Sequence, residues 1–487
     1  MVATRMQQEQ SHSPLLAIIS SALFLIFIIW WIQSSIQPDD FSYLFCTTAT
    51  SAICFFIIVN PWKPDTLEPI KLIAFFYGMS FGLGPLLLAG EGGYQIPYLG
   101  GGWVRLLGEG SLWGLIGLCC LLVGYYSYPI LSRNRGGTTS SVLSRGARKT
   151  VSIFGVALLA IGAASYLLLV HQAGGLGHFI TYSSGRADIF SGAFGGFYFG
   201  TFFLISGLGA ISCIHVKKHP LIIMGIAVII GGAYSLFQGR EEAIAPIICG
   251  IISIHYGHRR LKTRWLIIAG AIIILLASFI GYFRSAEKSE GQKTDVVIGN
   301  FGPKLQIHLR KTLSQNLEQM DAFLIALRYV ETSHRTLGGD TLLAWLEPID
   351  RHILGNMIDS VKAGRFMTIL VMPEHRWSNT ALSPSILGEL YLNFSHQGIV
   401  VGLLLYGVIV RWLYEKVSRV DSNPLILMVY PYTIWILSKT VIDGSGLLFR
   451  PFIIALPILV ISLAIAGKSS SQPQISTSRL VEEGNPQ

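Results

Sequence analysis

Ser385, Glu389, Asn393 and His396 recur at spacings of four, four and three in the stretch Ser383-Pro384-Ser385-Ile386-Leu387-Gly388-Glu389-Leu390-Tyr391-Leu392-Asn393-Phe394-Ser395-His396. On an α-helix that spacing puts all four on one face. Ser383 followed by Pro384 reads as the helix start, a hydroxyl N-cap and then proline in the first turn. The helix runs on through the apolar residues to Val410, so Glu389 and Asn393 are expected at membrane depth. A carboxylate there is costly and normally faces a protein interior or a wet cavity. The plainer alternative is a polar seam that joins helices.

A second set of residues is cationic. Arg186, Arg240, Arg284 and Arg450 stand in short turns or at the ends of apolar runs, as in Gln238-Gly239-Arg240-Glu241-Glu242 and Phe449-Arg450-Pro451. A guanidinium keeps its charge and presents a planar fork of donors that matches phosphate oxygens. Several together would hold a diphosphate without a metal. For each alone the plainer alternative is a side chain snorkelling to lipid headgroups, least so for Arg240 in its short turn beside two carboxylates. Glu241 and Glu389 are rival candidates for a base that would take the proton of an attacking hydroxyl. His375, in Glu374-His375-Arg376, is a further candidate for substrate contact. No Walker A loop, zinc spacing or nucleophile elbow occurs in the sequence, so no metal and no cofactor are expected.

The elements that would position these residues are membrane helices. The chain has 487 residues, 51% of them hydrophobic and only 13% charged. The expected fold is an all-α polytopic membrane protein with about twelve transmembrane helices of near the ~20 residues needed to cross. Nine of the expected spans fall within 1–282, a large external segment follows at 283–384, three spans fill 385–467, and 468–487 is a polar tail. Basic residues cluster at 133–149, 217–218, 259–264 and 411–419, after alternate spans. The positive-inside rule makes that side cytoplasmic, with both termini on it. The excess of +9 charges is therefore topological, and no nucleic-acid partner is expected. Inside the external segment, Leu305–Val330 has helical periodicity and 341–357 is apolar but broken by Pro348. Short helices lying on the outer bilayer face are expected there.

Ser383-Pro384-Ser385, Gly388-Glu389, Tyr391, Asn393-Phe394 and Gly398 together resemble the late-helix signature of Wzy-type O-antigen and oligosaccharide repeat-unit polymerases. Gly239-Arg240 opening a helix, the large external segment and Arg450 in the last external turn fit the same family. The resemblance implies a glycosyltransferase of a bacterial inner membrane that works without a metal and with inversion on the periplasmic side. It would polymerise undecaprenyl-pyrophosphate-linked repeat units into a surface polysaccharide such as the O-antigen of lipopolysaccharide. It implies that Arg186, Arg240 and Arg450 hold the donor diphosphate, with Arg284 as an addition. Glu389, Tyr391 and Asn393 would shape the sugar pocket or supply the base. The implied partners are the lipid-linked donor and acceptor, membrane lipids, a chain-length regulator and a flippase. The histidine and glycine pattern of the related O-antigen ligases is incomplete here, because Arg376 follows His375 and Val410 stands where a glycine belongs after Gly407. A lipid-linked oligosaccharide flippase is the other alternative.

Overall fold

The structure is a computed structural model. It describes residues 40–59, 65–85, 103–131, 145–172, 174–175, 197, 200–236, 240–258, 261, 319–346, 363–371, 382–418 and 424–448, and single positions at 455, 457 and 460. These residues are helical, with no strand among them. In chain order the helices are α1 (Asp40–Val59), α2 (Pro69–Tyr77), α3 (Trp103–Leu131), α4 (Arg145–Gln172), α5 (Phe203–His215), α6 (Pro220–Leu236), α7 (Arg240–Gly257), α8 (Gln319–Ser333), α9 (Ala363–Val371), α10 (Ser385–Ser418) and α11 (Pro424–Asp443). A π-helical turn, Gly78–Leu83, continues α2. Two 3₁₀ turns, Asp340–Leu346 and Ser445–Leu447, follow α8 and α11.

Among the described residues, three stretches, Arg105–Tyr128, Gly146–Gln172 and Ser385–Ser418, are long and apolar enough to cross a membrane. Shorter apolar helices surround them. On α4 and α6, Ile153, Val156, Leu167, Leu221 and Ile229 point out of the bundle. A face of large aliphatic side chains turned outward suits lipid as its solvent.

The axis of the bundle is α3 against α10. The two backbones touch, which only glycine permits. A side-chain carbon at Gly124 would meet the Leu404 carbonyl, and one at Gly407 would meet the Leu121 carbonyl and lie 2.7 Å from the Tyr125 nitrogen. Small residues that let backbones close up are the usual device for packing helices in lipid, where apolar contact alone gives no preference for protein over hydrocarbon.

One end of this axis is held by a polar network. Asp65, in the linker between α1 and α2, accepts from the Tyr414 hydroxyl at 2.9 Å and the Tyr256 hydroxyl at 3.2 Å, with His255 Nε2 at 2.8 Å. Glu68 accepts from the Tyr125 hydroxyl at 2.8 Å and from Arg411 at 3.3 Å. The ends of α3, α7 and α10 are thus tied to one linker. Buried charges are tolerable when paired and hydrogen-bonded in this way. Tyr125 and Glu109 are sixteen residues apart on α3, so this network lies ~24 Å from the other end.

Most of the expected spans between 41 and 257, and those at 385–410 and 424–440, coincide with helices within a few residues. Several features differ. Residues 103–110, expected in a glycine-rich loop, are the first turns of α3. Helix α7 passes Pro246 unbroken. Helix α8, expected on the outer bilayer face, is covered by protein along one side: Met320, Ala322, Phe323, Leu324, Ala326 and Leu327 are fully buried. Its apolar stripe packs end-on into the bundle, with Phe323 6.4 Å from Phe81 and 6.1 Å from Tyr391, ring to ring. The spans expected at 15–33 and 265–282, and the segments 305–318 and 347–357, lie outside the described residues, as do most of 449–467 and the tail.

Candidate functional site

Helix α10 is two helices. Phe394 (φ −139°, ψ 15°) and Ser395 (φ 55°, ψ −147°) leave the helical region and make an elbow. The turn missing from the first half is replaced by the loop after α8. Leu337 donates its N–H to the Leu392 carbonyl at 2.8 Å and Gly338 to the Asn393 carbonyl at 3.1 Å. Gly339 donates to Asn393 Oδ1 at 3.0 Å. Carbonyls freed at a helix end must find donors, and here residues 337–339 supply them. Gly398 lets the second half fold against the first, since a side chain there would strike the Leu390 carbonyl. Residues 396–418 still measure ~35 Å as a straight helix, enough to span without the first half.

The elbow corrects two expectations. Ser385, Glu389 and Asn393 share a face, but His396 lies beyond the break and leaves it. The N-cap is Ser385, whose Oγ accepts from the Gly388 N–H at 3.2 Å. Ser383 instead donates to the Ile442 carbonyl at 2.9 Å and lies 3.1 Å from Asp443 Oδ1, fastening the start of α10 to the end of α11.

Glu389 is 2% exposed. Its Oε1 accepts from the Ser445 hydroxyl at 2.7 Å and its Oε2 from the Ser445 N–H. Ser445 opens the 3₁₀ turn that follows α11, so the carboxylate occupies the donor end of that turn. Gly444 makes room with φ 72°, and a side-chain carbon on it would lie 2.7 Å from Glu389 Oε2. Asn393 is fully buried and donates to Thr341 Oγ1 at 2.5 Å and to the Glu389 carbonyl at 2.7 Å. Tyr391 is also buried, its ring against Phe323 and His396. The three signature side chains expected to meet the sugar therefore form a clamp. They join residues 339–341, the first half of α10 and residues 444–445, and both Glu389 oxygens are already engaged.

Beside the clamp is an open set of side chains. His396 stacks on Trp113 with ring centres 4.3 Å apart, and its Nε2 lies 3.7 Å from Glu109 Oε1. Arg105 reaches both oxygens of Glu331 on α8, at 3.0 and 2.9 Å. Burial, and then the neighbouring Glu109 carboxylate, hold the Glu331 carboxyl above its usual range. Near the start of α8, Asp321 has a buried Oδ1 without a hydrogen-bond partner, and burial pushes its carboxyl up to about 7. The folded state then retains a proton that the unfolded chain loses from about pH 4 upward, so this group costs stability as pH rises toward 7. Asp321→Asn is expected to stabilise the protein by up to ~4 kcal/mol at pH 8 and by nearly nothing at pH 4. Thermal unfolding in detergent at the two pH values checks this, and equal shifts at both would contradict it.

Arg240 and Glu241 open α7, but their side chains lie outside the described residues. The position of that first turn is informative. At the other end of α7, a side chain on Gly257 would lie 3.0 Å from Leu427 near the start of α11. The two helices run antiparallel, so Arg240 begins at the end of the bundle where α11 finishes and the clamp forms. Arg186, Arg284, Arg450 and His375 lie outside the described residues. Sequence reading missed Thr341, Gly444, Ser445 and the open set at Glu109. Asp443-Gly444 is a turn dipeptide, and Glu109 is a lone carboxylate within an apolar run, so both carried a signal. Comparison with protein-family models, curated proteins and solved structures finds no match.

Proposed function

We propose that the chain is a lipid-linked repeat-unit polymerase of a bacterial inner membrane, with about twelve spans, both termini in the cytoplasm and its site on the periplasmic side. The observation that carries this reading is the elbow in α10. There the signature residues tie the external segment and the turn leading toward Arg450 to the start of one spanning helix. Arg411 and Lys416, in the last turns of α10, lie at the opposite end, where Arg411 joins the Asp65–Glu68 network, which suits a cytoplasmic placement for that end.

The chemistry follows from an activated donor. An acceptor hydroxyl on the new repeat unit attacks the anomeric carbon of the growing chain. The bond from that carbon to the diphosphate breaks, and undecaprenyl diphosphate leaves with the electron pair. Fixed cations stabilise the departing charge. Arg240, Arg186 and Arg450, with Arg284, are the residues for that task. Glu389, Tyr391 and Asn393 set the geometry of the elbow around it.

Deletion of the gene in its own host, read on a polysaccharide gel, tests the reading. Chains of one repeat unit are expected to remain while longer ones vanish, and the intact gene restores the ladder. Loss of all surface glycan would point instead to a ligase or a flippase. Arg240→Ala is expected to give a folded protein in normal amount and no polymer, at least ~100-fold down. A near-normal ladder would contradict its role.

A further inference from the structure

With Glu389 engaged in the clamp, and the side chain of Glu241 outside the described residues, the proton of the attacking hydroxyl needs another recipient among the described carboxylates. Glu389 is closed off, with both oxygens held by Ser445. Asp321 is largely buried near the start of α8, and Glu331 has both oxygens on Arg105. Glu109 differs from these. It stands in the first turns of α3 with its side chain 28% exposed, between His396 and Glu331 and without an arginine fork on both of its oxygens.

Its surroundings are those of a sugar site. Trp113, one turn further along α3, and His396, the first helical residue after the break, form a stacked pair, with Tyr391 edge-on to the imidazole at 5.1 Å. Aromatic faces next to a carboxylate are suited to a pyranose, which presents C–H groups to rings and hydroxyls to acceptors. The carboxylate is held from two sides, by His396 on α10 and by a hydrogen bond with Glu331 of α8, which Arg105 in turn fastens to α3. Three elements that come together at the elbow therefore converge on one oxygen acid.

We infer that Glu109 is the general base of the transfer, acting on the acceptor hydroxyl of the incoming repeat unit. This assignment rests on the polymerase reading and adds a residue to it. In the step, the hydroxyl proton passes to the Glu109 carboxylate, and the hydroxyl oxygen bonds to the donor's anomeric carbon. The bond to the diphosphate oxygen breaks, and the diphosphate takes the electron pair. The proton then leaves Glu109 for solvent. His396 is a positioning residue that fixes the carboxylate, and its part-exposed ring, backed by Trp113, is the surface offered to the acceptor.

The test uses the full-length protein in proteoliposomes, with lipid-linked repeat units extracted from the deletion strain as substrate. Glu109→Gln is expected to lower kcat by ~100-fold or more, a range typical of a lost general base, with little change in KM. Glu109→Ala is expected to be equally slow and to regain activity on addition of sodium formate, which a packing role would not allow. A wild-type ladder together with Glu109→Gln within threefold of wild type, or Glu109→Ala that is folded, inactive and unmoved by formate, overturns the assignment and leaves the polymerase reading standing. A wild-type protein that makes no ladder removes both.

Discussion

Glu389→Ala is expected to unfold the elbow end of the protein, and Glu389→Gln to preserve it. Alanine strands the Ser445 N–H and hydroxyl beneath a buried void. Two buried donors left without a partner cost about 2–6 kcal/mol before the cavity is counted. Low yield and aggregation in detergent should follow, with no polymer. Glutamine has the same shape and can satisfy both groups of Ser445. Its carbonyl accepts the N–H, and its amide donates to the hydroxyl, which rotates to accept. Glu389→Gln should therefore fold and keep activity within ~10-fold of wild type. Size-exclusion profiles and a polymer gel on the two variants check this. A well-folded Glu389→Gln that makes no polymer would mean the carboxylate itself takes part in the chemistry.

The second large effect is expected at the contact between α3 and α10. Gly407→Val puts a branched side chain where the Leu121 carbonyl and the Tyr125 nitrogen already stand. Those are backbone atoms of a helix and cannot swing aside. Overpacking in a yielding core costs ~1–3 kcal/mol, and here the helices must separate along the axis that carries both Glu109 and the elbow. Gly407→Val is expected to abolish both assembly and activity. Gly232→Val is the control, since nothing lies within 4 Å of a side-chain carbon there. If Gly407→Val expresses and unfolds like Gly232→Val, the close approach of α3 and α10 is wrong.

Helices could be read from the chain because apolar runs of membrane length have few alternatives. The shared face of Ser385, Glu389 and Asn393 could be read for the same reason, from periodicity alone. The break at Phe394–Ser395 could not. Neither residue is a glycine or proline, and what stabilises the bend is three donors from residues 337–339, far away in sequence. The fate of Glu389 was equally hidden. Ser445 is 56 positions distant, and only the folded chain shows that a signature carboxylate closes a turn. Glu109 falls in the glycine-rich stretch 90–110, whose composition reads as a loop. In the structure its residues 103–110 are helical, and Gly110 sits directly beneath Leu324 of α8. The periodicity of α8 was visible, whereas its burial depends on the partner it meets.

The central claim is that this end of the bundle joins lipid-linked repeat units to one another, and reconstitution measures it most directly. Purified protein is placed in proteoliposomes with repeat units on undecaprenyl diphosphate extracted from the deletion strain, in the presence of a metal chelator. A ladder rising by one repeat per rung, with one undecaprenyl diphosphate released per bond formed, is the predicted result. Substrate that stays at one repeat unit with no diphosphate lipid released, from protein that is folded and inserted, would contradict it.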